Sequence, residues 1–358
     1  MTVQHRIATN GDPSRRLAPV VRIAPAKLNL TLAVIGRQAD GYHALHSVVV
    51  QLGLADRLSL AIQASGDDSI SSTGFDPGPP QRNLVVRAIA ATRSAVARTW
   101  PGAPERPPSL AVRVDKQIPV AAGLAGGSSD AAAAIDAALE AWDADLRPDD
   151  RSAVALEVGS DVPLFLAGGA ALIEGRGERV TRLHGVRCET GREPAVVLVT
   201  PLVGVHTSQV FDTWSAGAMG EPGVARRSSE HFASEFGSGL TVERLVERAA
   251  VLAAANDLLP ATLALVPELV TLRRGLARTI ARPIGMSGSG PTLWALYPSL
   301  AEAQAAAAEI DSALDAGSIR APGDDRPFVM ATPILAQSTA NDQVVTPEQV
   351  VTPERRTG

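Results

Sequence analysis

Residues Gly123 to Ile135 read GLAGGSSDAAAAI. A glycine cluster that opens a helix aims backbone N–H groups and the positive end of the helix dipole at one point, which is the chemistry of an anion site. The stretch Pro119, Val120, Ala121, Ala122, Gly123, Leu124, Ala125, Gly126, Gly127 is built almost wholly of small residues, so the main chain can approach a ligand closely. Ser128 and Ser129 add hydroxyls at the helix start, where a simple serine cap is the plainer alternative. The lysine that completes G-x-x-x-x-G-K-[ST] is missing, so positive charge must come from elsewhere. Of the 33 basic residues only Lys27 and Lys116 are lysine. An ammonium is compact where a guanidinium is broad, and that difference or mere chance explains each retained lysine.

Three further stretches carry reactive types. Asp161, in GSDVPLF, occupies the usual place of a helix-capping aspartate. With Lys27 as its neighbour the same carboxylate would stay ionised and could accept or orient a hydroxyl proton. Tyr42 and His43, in DGYH, suit stacking on a planar base and reading its edge, or else simple turn packing. Gly285, Gly288 and Gly290, in GMSGSGPT, make a second glycine turn that would form the other wall of a cleft. The six histidines show no metal-ligand spacing.

The elements that must position these groups follow from periodicity. From Ile23 onward Leu28, Leu30, Leu32 and Val34 alternate with Lys27, Asn29 and Thr31, which predicts a half-buried strand with Lys27 and Asn29 on a polar surface. Two more strands are expected after Asp40-Gly41. NLVVRAIAATRSAVA has helical spacing with Asn83 as N-cap. LAVRVDKQIPVAAG reads as a strand leading into the glycine loop, followed by a helix over about 128–144. A short helix precedes Asp161. PAVVLVTP opens a second run of strands, the segment from Ser215 to Gly239 reads as a long flexible insertion, and two or three helices follow before the GMSGSGPT turn. Strands and helices are mixed without regular βαβ alternation, which favours α+β.

The chain has 358 residues, room for two domains. The predicted division is an extension over 1–20, domains over 21–183 and 194–330, and a disordered tail over 331–358 that repeats V-V-T-P-E. A net charge of −5 argues against nucleic acid as partner. No apolar run is long enough for a membrane span or signal peptide, and Cys188 has no second cysteine to pair with. A cytoplasmic protein is expected; oligomeric state is not legible.

Taken in order, APAKLNL, DGYHALHSVV, IPVAAGLAGGSSDAA, GSDVPLF and GMSGSGPT resemble the GHMP kinases, the superfamily of galactokinase, homoserine kinase and mevalonate kinase. The resemblance covers roughly residues 20 to 330, and PAKLNL together with DGYH resembles a branch acting on a cytidyl diphosphate. It implies a two-domain fold, with an N-terminal ribosomal-S5-like α/β domain, a C-terminal ferredoxin-like domain and the site in the cleft between them. It implies an ATP-dependent kinase using ATP and Mg2+, with Pro119 to Ser129 as the phosphate loop and Lys27 and Asp161 as the catalytic pair. It places Asn83 and Lys116 near the ATP base, and Asn29, Tyr42 and His43 on the substrate. Ala121, Ala122 and Ala125 stand where many members have glycine. The alternatives are a GHMP kinase with another acceptor, or a nucleotide-binding sensor of the same fold.

Overall fold

The computed structural model describes residues 18–37, 41–99, 107–188, 193–217 and 223–335. Seven strands form one sheet: β1 (Val20–Asn29), β2 (Ala33–Arg37), β3 (His43–Ile62), β4 (Ser69–Gly74), β5 (Leu110–Lys116), β6 (Ala171–Gly175) and β7 (Arg179–Arg182). The long β3 is its spine and runs antiparallel to β1, β2, β5 and β6. Sequence periodicity predicts two strands here, whereas one continuous strand forms. Ser47 to Asp56 are all buried, and a strand covered on both faces loses the alternation by which its extent is read.

The strand from Ile23 departs from expectation for the same reason. Leu28 and Leu30 enter an apolar cluster, but the opposite side is not a polar surface. Lys27 and Asn29 are each only 6% exposed, covered by the second half of the chain. β1 also ends at Asn29, with a register shift between Pro25 and Lys27.

Four helices belong to this half: α1 (Leu84–Thr99), α2 (Gly126–Ala141), α3 (Pro148–Val158) and α4 (Val162–Ala167). In α2 every residue from Ser129 to Leu139 except Asp136 is buried. Alanine is the best helix former and has the smallest side chain that keeps that propensity, so α2 can lie tightly among α1, β1 and β3. Its buried alanines share one cluster with Val85 and Ile89 of α1 and with Leu58, Leu60 and Val112 of the sheet.

The second half begins with β8 (Val186–Arg187) and β9 (Ala195–Thr200), then α5 (Thr207–Ala216) and α6 (Val224–Ser238). The predicted flexible insertion is thus largely helical. Ala225, Ser229, Phe232 and Phe236 recur at helical spacing and are buried on one face of α6, a pattern that the flanking glycines obscure. Next come β10 (Leu240–Thr241), which pairs with β8, and the helices α7 (Val242–Glu247), α8 (Ala249–Ala254), α9 (Leu259–Leu265) and α10 (Glu268–Thr279). These are four helices where two or three are expected, because Arg248, Asn256 and Pro267 interrupt the run. β11 (Gly285–Met286), β12 (Leu293–Tyr297), α11 (Leu300–Asp315) and β13 (Phe328–Pro333) complete the chain described.

A four-stranded antiparallel sheet, β11-β12-β9-β13, joins the halves. β13 continues past residue 330, where the tail was predicted to start. Leu335 N–H donates to the Gln51 carbonyl at 2.9 Å, and Leu54 N–H donates to Thr332 Oγ1 at 2.7 Å. The rest of that tail, and the extension before Ala18, lie outside the described residues.

Candidate active site

The glycine loop leaves the end of β5 and enters α2 at Gly126, with Ala125 at the N-cap position and no side-chain cap. Neither serine therefore caps the helix. Ser128 lines the cavity described below, and Ser129 Oγ is buried without a hydrogen-bond partner among the described residues. The N–H groups of Gly123 to Gly127 donate to no acceptor within the described residues. They gather instead at the N-terminus of a 16-residue helix, where the dipole favours negative charge. Ala121 and Ala125 both have φ of 54°, the left-handed region that disfavours a Cβ. Alanine at these positions keeps the glycine-like path at a cost of about 1–2 kcal/mol each.

The second glycine turn is packed directly on the loop. Ser287 Oγ donates to the Gly123 carbonyl at 2.9 Å, and a Cβ on Gly123 would lie 2.2 Å from the Ser287 carbonyl oxygen. Only glycine permits this approach. Asn256 holds the turn in place: its Nδ2 donates to the carbonyls of Met286 and Gly288, both at 2.9 Å. Sequence reasoning missed Asn256 because a lone asparagine between helices carries no spacing signal.

Between these walls lies a cavity of about 810 Å³. Lys27, Asn29, Asp161, Tyr42, His43, Asn83 and Lys116 all line it, together with Pro119 to Gly123 and Ala125 to Ser128. Leu124 and Ser129 are not on its surface; Leu124 is fully buried and its carbonyl accepts from Lys27 N–H at 3.0 Å. That bond brings the catalytic-candidate strand and the glycine loop together.

The Lys27 ammonium donates to Asn29 Oδ1. Burial pulls its pKa below the ordinary lysine value, and the Asp161 carboxylate opposes that pull. The two charges therefore act on each other across the cleft, although among the described residues they form no direct ion pair. Asp161 sits just before α4 but its side chain caps nothing, so the capping alternative does not hold and the carboxylate faces the cavity. Asn29 is fully engaged, since its Nδ2 donates to Ser47 Oγ at 2.8 Å. It holds Lys27 in place and is itself held by β3.

At the other end His43 stacks on Phe211, ring centroids 4.9 Å apart, and meets Trp214 edge-on at 5.6 Å. Its Nε2 lies 2.8 Å from Ser215 Oγ. Burial, then Arg37, lowers its pKa against the pull of Asp212, so it is a neutral hydrogen-bonding ring at pH 7. Tyr42 is exposed, with the Arg176 guanidinium 5.2 Å from its ring centre. Phe211 and Trp214 were missed; their spacing on α5 was the available signal, but the aromatic pair reads equally as core. Asn83 Oδ1 accepts from Val85 N–H at 2.9 Å and caps α1 as predicted.

Lys116 departs from a ligand-like arrangement. Its ammonium is held by Asp56 and, at 2.6 Å, by Asp130 Oδ2. Burial works against its charge, but Asp130 and Asp56 outweigh it and raise its pKa. Burial pushes the Asp130 carboxyl up to about 8, with Lys116 pulling the other way. Among the described residues no cluster of His, Cys, Asp and Glu is arranged to hold a metal ion.

Residues 83–169 match the family "GHMP kinases N terminal domain", and residues 240–316 match "GHMP kinases C terminal". The chain belongs to the GHMP kinases and is an ATP-dependent phosphotransferase of that fold. It is 37% identical over 289 residues to the 4-diphosphocytidyl-2-C-methyl-D-erythritol kinase of Pelotomaculum thermopropionicum, spanning 81% of this chain and 93% of that one. It is 36% identical to the enzyme of the same name from Deinococcus radiodurans, over 82% and 90%. A crystal structure of 4-(cytidine 5'-diphospho)-2C-methyl-D-erythritol kinase superposes with a TM-score of 0.61 at 30% identity, covering 88% of this chain and 99% of the other. Homoserine kinase from Cytophaga hutchinsonii, at 17% identity and a TM-score of 0.63, shares the fold. No helix among the described residues is long and apolar enough to cross a membrane.

Proposed function

We propose that this cleft transfers the γ-phosphoryl group of ATP to the 2-hydroxyl of 4-diphosphocytidyl-2-C-methyl-D-erythritol, in the cytoplasm, on the route to isoprenoid precursors. The observation that carries the reading is the meeting of Lys27, Asp161 and the unpaired loop amides in one cavity. Phosphoryl transfer asks a protein mainly for positioning and electrostatic stabilisation. The amides of Gly123 to Gly127 supply both to the ATP phosphates at the α2 N-terminus. Asp161 takes or orients the hydroxyl proton of the acceptor. Lys27, held by Asn29, faces Asp161 across the cleft and meets charge on the transferring group. Tyr42 and His43, with Phe211 behind, form the wall for the cytosine, and Asn83 lies toward the ATP base.

The residues fit a magnesium ion. Ser128 offers a hydroxyl on the cavity surface at the α2 N-terminus, whereas Ser129 Oγ lies off that surface. Mg2+ takes few protein ligands and completes its shell with phosphates and water, so the Ser128 hydroxyl with ATP would hold it. When bound it neutralises charge on the β- and γ-phosphates.

The test is a phosphotransfer assay with the cytidyl alcohol, mevalonate, homoserine and galactose as acceptors. ADP release with the cytidyl alcohol alone supports the assignment. Turnover of another acceptor in its place replaces the substrate, and ATP binding without transfer to any of them points to a sensor.

A further inference from the structure

We propose that Asp56, Lys116 and Asp130 form a brace that fixes the shape of the glycine loop, so that Lys116 is a positioning residue and not a direct ligand of the nucleotide. The inference rests on reading that loop as the ATP phosphate site. The loop departs from the sheet after Lys116 and enters, at Gly126, the helix α2, whose second turn carries Asp130. Asp56, on β3, accepts through Oδ1 from the N–H groups of Gln117 at 2.6 Å and Ile118 at 2.9 Å. Its other oxygen accepts from the Lys116 ammonium, which also donates to Asp130 Oδ2. Both ends of the loop are thereby tied, through one ammonium, to a residue in the middle of the sheet.

The brace is largely buried. The side chains of Lys116, Asp56 and Asp130 are 3%, 0% and 5% exposed. Lys116 and Asp130 reach the floor of the cavity while Asp56 stays behind it, so the ammonium faces the cavity with two carboxylates already bound to it. The surrounding backbone is equally close. Phe75 N–H donates to the Lys116 carbonyl at 3.1 Å, and a Cβ on Gly126 would come within 3.0 Å of Ile118 and 3.3 Å of Asp56 Oδ2. Such a narrow space admits a compact ammonium and not a planar fork, which accounts for a lysine here in a chain so rich in arginine. Left-handed alanines such as Ala121 and Ala125 persist only where the surroundings over-determine them. A loop clamped at both ends meets that condition.

The test compares full-length wild type with Asp130→Leu, Asp130→Asn and Lys116→Arg. The readouts are ADP affinity by calorimetry, KM for ATP, KM for the acceptor, and thermal midpoint. Asp130→Leu breaks one arm while leaving the Asp56–Lys116 pair to support the fold. It is expected to raise KM for ATP about tenfold, which equals about 1.4 kcal/mol, with acceptor KM held within about twofold and kcat falling less than KM rises. Lys116→Arg should behave alike. Asp130→Asn, which keeps the shape and an acceptor for Lys116, should restore ATP affinity. A direct ligand would respond in the opposite way, since losing a carboxylate exposes the ammonium to phosphate. Equal or tighter nucleotide binding by Asp130→Leu therefore overturns the proposal, as does a lowered midpoint with KM for ATP unchanged. Wild type that fails to bind ADP at all removes the loop reading beneath it, a result distinct from either.

Discussion

Replacing Asp161 with asparagine isolates the chemical step. The side chain caps no helix and makes no hydrogen bond or ion pair to another described residue, so the amide is accommodated without disturbing the fold. Stability should change by less than about 0.5 kcal/mol, as at positions away from packed or paired groups. The loop amides that hold the triphosphate are untouched, so ATP affinity should survive. What disappears is a group able to accept the hydroxyl proton, worth about 10²- to 10⁴-fold in rate, or about 3–5 kcal/mol of barrier. The measurement is kcat from a coupled ADP assay at saturating substrates, beside calorimetric ATP binding and a thermal melt. A drop of that size with binding and melting intact is the expected result. A variant retaining kcat within a few-fold of wild type would refute the role given to this carboxylate.

Burial holds the Lys27 pKa below its ordinary 10.5, so the alkaline limb of the rate profile should fall below the usual lysine range, and Asp161→Asn should move it lower still. The folded group binds its proton less tightly than the unfolded one, so Lys27 opposes folding at neutral pH. Stability should therefore increase with pH from its folded pKa up to 10.5, as urea titrations across that window can check. Phe211→Ala removes the ring stacked on His43 and should raise KM for the cytidyl substrate about 5- to 100-fold through lost base stacking, leaving KM for ATP unchanged in the same steady-state assay. Asn256→Ala strips hydrogen bonds from two buried carbonyls and should lower the urea unfolding free energy by about 2–4 kcal/mol.

The residues that carry local chemistry were the legible ones. The glycine-to-alanine transition marked the anion site because its physics is entirely local, and Asn83 announced its cap in the same way. Lys27 and Asp161 could be named as candidates, yet nothing in their spacing dictates that Asn29, and not Asp161, is the direct partner of the ammonium. The triad around Lys116 was invisible for a related reason. Asp56 and Asp130 lie far apart in sequence; the register of β3 with β5 brings Asp56 to Lys116, and the packing of α2 on β3 brings Asp130. Burial misled the reading elsewhere. Covered on both sides, Ser47 to Asp56 hid the length of β3, and the apolar face of α6 was masked by polar neighbours and bordering glycines.

The contact between Ser287 and Gly123 spans 164 positions of chain. A ribosome delivers the nucleotide cradle first and its back wall later, after the elements from β8 to β11 have followed. Any fragment released in between carries an unsealed cradle exposed to solvent water. A whole nucleotide cradle thus exists only in a chain that carries both walls of the cleft.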